Sequence, residues 1–187
     1  MLYNNGYVVK DLIDNEELLI NHNVYRGLQS YHNWPLSKEI DSISKELTKS
    51  LENYFDENNY IEIVRDVKLL RRYVNHCKKL EKRVIILKIM SNDDTFIADE
   101  DLNETEVLGY DCMAGDSISY LTEIHTESAA KFELYKSLKT KLNSNGLLNS
   151  YEEVEDFIRK RNKLLEQGIN LEDYWKPIPV RLSLVTL

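Results

Sequence analysis

Residues 107–125, VLGYDCMAGDSISYLTEIH, gather two aspartates, a cysteine, two serines, a glutamate and a histidine into nineteen positions. Hydrolytic chemistry draws on these side-chain types: a nucleophile, a base, and carboxylates to orient them. Cys112 or Ser117 with His125 would supply the first two, and Asp111, Asp116, Glu123 and His125 form the candidate catalytic set of a hydrolase. The spacing lacks what such a site needs. No G-x-S-x-G elbow holds a nucleophile on a strained turn, because Ile118 and Ser119 follow where a second glycine is required. The competing assignment is a strand from Val107 to Met113 that points Cys112 into the core, ended by a Gly115-Asp116 turn.

Metal and nucleotide chemistry find less support. The four histidines, His22, His32, His76 and His125, show no i+3, i+4 or i+5 pairing, and no H-E-x-x-H, C-x-x-C or EF-hand loop occurs. Adjacent helical residues such as His76 and Cys77 point about 100° apart and do not chelate one ion. Six scattered glycines contain neither G-x-G-x-x-G nor G-x-x-x-x-G-K-[ST]. No metal site and no cofactor is expected.

The elements that would position these groups follow from periodicity. Ile40, Ile43, Leu47, Leu51 and Tyr54 predict a helix over 37–55, and Ile63, Val67, Leu70, Val74 and Cys77 a second over 60–80, with Cys77 as a small core residue. The run from Arg83 to Met90 reads as a buried strand. An acidic loop at 91–105 and the strand 107–113 follow. A helix over 131–142 is closed by Asn145-Gly146, and Ser150 with Glu153 forms a capping box that opens another helix, ended by Gly168. Residues 178–185 alternate as a half-buried C-terminal strand. Residues 1–34 carry no decisive periodicity; Tyr7, Val8 and Val9 fit a short strand and 16–20 a helical turn. The expectation is a single α+β domain over 1–187, with a small, largely antiparallel sheet packed against about four main helices.

Charge is the more informative pattern. Residues 68–83 hold seven basic side chains (Lys68, Arg71, Arg72, Lys78, Lys79, Lys82, Arg83) and one acid, Glu81. A solvated helix face accounts for them, and a nucleic-acid contact along 68–82 is the functional alternative, in a regulatory or phage-encoded protein. Residues 93–106 then hold seven acids, Asp93, Asp94, Asp99, Glu100, Asp101, Glu104 and Glu106, with no base among them. Acids so crowded repel one another without a cation or a basic partner nearby, so these seven are the candidate partner-binding residues. An exposed acidic loop steers association with a basic protein.

The bulk numbers limit the rest. A chain of 187 residues with 42% hydrophobic and 30% charged residues suits one globular core. Twelve tyrosines against four phenylalanines suggest aromatics with a polar tip at the core margin or an interface. The net charge of −8 disfavours general nucleic-acid binding and anionic membranes. The start of the chain lacks a basic leader, no apolar run approaches a membrane span, and two cysteines are too few for a disulfide framework. A cytoplasmic location with reduced thiols is expected.

Three segments also carry a resemblance. VLGYDCMAGDSISYL, LNSNGLLNSYEEVEDF and IPVRLSLV resemble, in that order, a pattern in small bacterial proteins of the toxin-immunity type: a strand with Gly-aromatic-Asp and a Gly-Asp turn, an Asn-x-x-Gly-Leu-Leu segment with its helix, and a C-terminal strand. The likeness covers about residues 84–187, with Cys112 standing where the pattern has an aliphatic residue, and it brings no catalytic residue. It implies a binding protein that neutralises a toxin, with a basic toxin domain as partner.

Overall fold

Val84–Ser91 is an uninterrupted β-prone run apart from one lysine, and it forms the central strand of the sheet. The computed structural model describes residues 1–12, 31–32, 63–79, 81, 84–113, 133–168 and 177–187. Within them the elements run β1 (Tyr3–Leu12), β2 (Tyr31–His32), α1 (Val67–Lys79), β3 (Val84–Ser91), β4 (Glu104–Met113), α2 (Glu133–Lys139), α3 (Tyr151–Glu166) and β5 (Ile178–Val185). The strands form one sheet in the order β2-β1-β3-β5-β4, and every pairing is antiparallel. The protein is therefore α+β, with three helices among the described residues rather than about four. The helix expected over 37–55 lies outside those residues.

Strand alternation sorts the core into two clusters, one on each face of the sheet. Val8, Leu87, Ile89, Leu108, Val180 and Leu182 pack with Leu138 of α2 and with Val154 and Phe157 of α3. Their neighbours Tyr7, Val9, Ile86 and Val185 pack with Leu70, Tyr73, Val74 and Cys77 of α1. Cys77 and Cys112 are both fully buried and form no disulfide. No helix among the described residues is long and apolar enough to cross a membrane.

Several boundaries differ from those expected, each for a local reason. Helix α1 starts at Val67, not near 60, because Val64 exchanges both backbone hydrogen bonds with Tyr7 (2.9 and 2.8 Å) and Asp66 then accepts from the Leu69 N–H at 2.9 Å. Helix α2 stops at Lys139, not Leu142. The Asn143 side chain accepts from the N–H groups of Asn145 and Leu147, so Asn145-Gly146 belongs to a separate tight turn, with Gly146 at φ 71°. That turn lays Leu148 against Tyr110 of β4, where the two exchange backbone hydrogen bonds at 2.9 Å. The capping residue of α3 is Ser150, which accepts from the Glu153 N–H, while the Glu153 carboxylate reaches back to the Asn149 N–H. Strand β1 runs over ten residues where only a short strand around Tyr7 was expected.

One topological consequence positions the acidic residues. Strands β3 and β4 are each antiparallel to β5, which lies between them, so they run parallel to each other. Parallel strands need a crossover connection, usually a helix. Here the chain returns through residues 92–103, which contain no helix or strand and pack Ala98 and Leu102 into the cluster under α1. The expected acidic loop is this crossover, and Glu104 and Glu106 belong to β4 itself.

Candidate functional site

A lysine in the middle of a buried strand needs a counter-ion. The Lys88 side chain is 3% exposed, and its Nζ lies 2.7 Å from Asp101 Oδ1 and 3.1 Å from Glu104 Oε1. Glu104 also takes a bidentate contact from one Arg181 nitrogen (2.7 and 2.8 Å) and a hydrogen bond from the Ser183 hydroxyl at 2.9 Å. The sheet register makes this cluster possible: Lys88 pairs with Tyr7 on one side and with Ser183 on the other. Burial opposes ionisation of Glu104, but hydrogen bonds from Ser183 and Lys88 and the charges of Arg181 and Lys88 outweigh it and hold its pKa below the ordinary value. Burial likewise disfavours the Lys88 ammonium, and the hydrogen bonds and charges of Asp101 and Glu104 reverse that, leaving its pKa raised.

The crossover is pinned to β1 by three side chains whose positions the topology supplies. The Tyr7 hydroxyl donates to the Glu100 carbonyl at 2.9 Å and accepts from the Leu102 N–H (2.8 Å) and from Asn4 Nδ2 (2.7 Å). The same Asn4 amide donates to the Asp101 carboxylate at 2.9 Å. Asn5 Nδ2 donates to the carbonyls of Asp93 (2.8 Å) and Phe96 (2.9 Å), so both ends of the tip 93–96 hang on one buried amide. Tyr7→Phe removes one acceptor and one donor from buried backbone groups. It is expected to destabilise the protein by about 2 kcal/mol and to speed amide hydrogen exchange at Leu102; unchanged exchange there would show that the hydroxyl does not hold the crossover.

The seven acids fall into two groups. Asp93 accepts from the Thr95 N–H at 2.9 Å, and hydrogen bonds from Thr95 with the nearby Arg65 charge lower its pKa against slight burial. Asp99 accepts from the Val67 N–H at 2.9 Å and so caps α1, where a carboxylate also suits the helix dipole. Glu100 pairs with Arg71 at 2.9 Å, on the surface. Asp101 and Glu104 serve Lys88 and Arg181. The acids of 93–106 are thus not an uncompensated run; their cations come from α1, β3 and β5. Asp94 and Glu106 are exposed and make no ion pair among the described residues. Between Asp94 and Asp99 the tip exposes Phe96 and Ile97, with the Arg65 guanidinium 4.8 Å from the Phe96 ring centroid.

The alternative catalytic set is not brought together by what is described. Asp111 is 2% exposed within β4, and its carboxylate accepts from the N–H of Cys112, at 2.6 Å. Asp116, Glu123 and His125 lie outside the described residues. Among the described residues no group of three or more His, Cys, Asp and Glu side chains is placed to hold a metal ion.

No family model, curated protein or solved structure matches the chain. The site therefore rests on its own geometry. Sequence reasoning had ranked the acids but not Asn4, Asn5, Tyr7, Lys88, Arg181 or Ser183, which hold them. One signal was available: Lys88 interrupts an apolar strand, and a lysine there must meet carboxylates from elsewhere in the chain.

Proposed function

We propose that this chain is a cytoplasmic protein-binding protein of the immunity type, which neutralises a cognate bacterial toxin by occluding a basic surface of it. The observation that carries the reading is the acidic crossover 92–103. It is irregular backbone, yet buried Asn5 and Tyr7 side chains hold it in place, so its outward residues are presented in a fixed arrangement. A surface already ordered before contact loses less entropy on association. Exposed acids around it raise the association rate with a basic partner and disfavour acidic ones. The resemblance of 84–187 to toxin-immunity proteins points the same way.

The test is co-expression with the product of the gene adjacent to this one. A one-to-one complex measured by light scattering, with an association rate that falls as salt is raised, is the expected result. Absence of any complex at low salt overturns the proposal.

A further inference from the structure

We infer that Phe96 and Ile97, at the tip of the crossover, are the anchor that enters an apolar pocket rimmed by lysine or arginine on a protein partner. This rests on the binding function proposed above and names the surface that performs it. Among the described residues the exposed large hydrophobic side chains are Met1, Phe96, Ile97, Val107 and Leu187, and Phe96 and Ile97 are the adjacent pair. Both are about half exposed, at 52% and 51%. Their backbone is not loose: Asn5 holds the Phe96 carbonyl, Ala98 donates to the Asn4 carbonyl at 2.9 Å, and Arg65 lies against the Phe96 ring. An aromatic and an aliphatic residue on hydrogen-bonded backbone, flanked by polar side chains, suit the apolar centre of an interface with a polar rim.

Charge decides the kind of partner. Asp94 precedes the pair and Asp99 and Glu100 follow it, all three exposed, and these acids outnumber the two arginines beside them, Arg65 on the Phe96 ring and Arg71 paired with Glu100. Phosphate backbones and anionic membranes are repelled by that rim, whereas lysine and arginine around a pocket complement it. The two components separate kinetically. The apolar pair governs dissociation, which salt barely affects, and the acids govern association, which salt screens.

The experiment uses the full chain co-expressed with the product of the adjacent gene. Benzoylphenylalanine is installed at position 96 and, as a control, at position 107, and crosslinked peptides are mapped by mass spectrometry. Separately, Phe96→Ala, Ile97→Ala and Asp94→Lys are compared with wild type in binding kinetics. The expected result is a crosslink from position 96 to a lysine- or arginine-rich surface of that product. Phe96→Ala and Ile97→Ala should each weaken binding, Phe96→Ala by about 30-fold, mainly through faster dissociation. Asp94→Lys should slow association several-fold at low salt and have no effect at high salt. If wild type forms the complex but both alanine variants bind within about twofold of it, or position 96 crosslinks only within its own chain or to a second copy, the anchor is overturned while the binding function stands. If wild type forms no complex, both fall.

Discussion

Glu104→Ala is expected to lower stability by about 3–5 kcal/mol in urea unfolding, whereas Lys88→Met should lose less than about 1.5 kcal/mol. The asymmetry follows from which charges remain behind. Without Glu104, the buried Lys88 keeps the Leu102 carbonyl but only Asp101 as counter-ion, Arg181 loses its bidentate partner, and the Ser183 hydroxyl loses its acceptor. Without Lys88, Glu104 still has Arg181 and Ser183, and Asp101, whose side chain is 70% exposed, keeps the Asn4 amide and is otherwise solvated. Methionine matches the lysine stem in shape and leaves little strain among the apolar neighbours. Equal losses in the two variants would show that the network is not centred on Glu104.

The pH dependence carries the same signature. The folded-state pKa of Glu104 is depressed, so its contribution is present above the unfolded value of about 4.3 and is lost as pH falls through the folded value. Lys88 is raised, so its contribution is complete below the unfolded value of about 10.4 and is lost as pH rises through the folded one. These two groups therefore add no pH dependence between these limits and lose their contributions beyond them, with Tyr7 and Tyr151, both raised by burial, also acting on the alkaline side. Glu104→Gln should shallow the acid limb; Asp93 and Asp156, also depressed, keep it from vanishing.

Gly109→Ala is the second large effect, expected to cost about 3 kcal/mol or more from backbone strain and overpacking together. Gly109 has φ 142°, and a Cβ there would lie 2.7 Å from the Leu148 carbonyl oxygen and 2.8 Å from the Leu147 Cβ. Backbone cannot yield as a flexible side chain does, so the turn 143–148 must move away from β4. That segment covers part of this edge strand: Leu148 pairs with Tyr110, and the Asn143 and Asn145 amides donate to the Leu108 carbonyl at 2.9 and 3.1 Å. Hydrogen exchange should accelerate at Tyr110 and Leu148, and the uncovered edge should favour aggregation. Gly168→Ala is the control. It also has a positive φ, but a Cβ would meet nothing within 4 Å, and the expected cost is about 1 kcal/mol. Comparable costs at the two sites would refute the steric argument.

Helix α1 and strands β3 and β5 were legible because burial there is written in periodicity. Val67, Leu70, Val74 and Cys77 recur at helical spacing and all face the core. Strand β1 was nearly invisible, since Asn4, Asn5 and Gly6 break any apolar alternation. The two asparagines are buried because the crossover offers carbonyls and a carboxylate to their amides, and no local pattern announces that. The end of α2 was misread because Asn145-Gly146 is a turn signal in either context, and only the contact of Leu148 with β4 decides which turn forms.

By itself, the sequence determined the class of fold, the buried faces of the helices and strands, and the crowding of seven acids into 93–106. Those are local properties: hydrophobic period, turn chemistry and charge count. Only the tertiary structure decided what the acids do. Inserting the C-terminal β5 between β3 and β4 forces residues 92–103 to cross the sheet, and that crossing brings Glu100, Asp101 and Glu104 against Arg71, Lys88 and Arg181. Electrostatic pairing depends on distance in space rather than along the chain, so an acidic run that looked self-repelling became a clasp, with Asp94, Phe96 and Ile97 left facing outward at its tip.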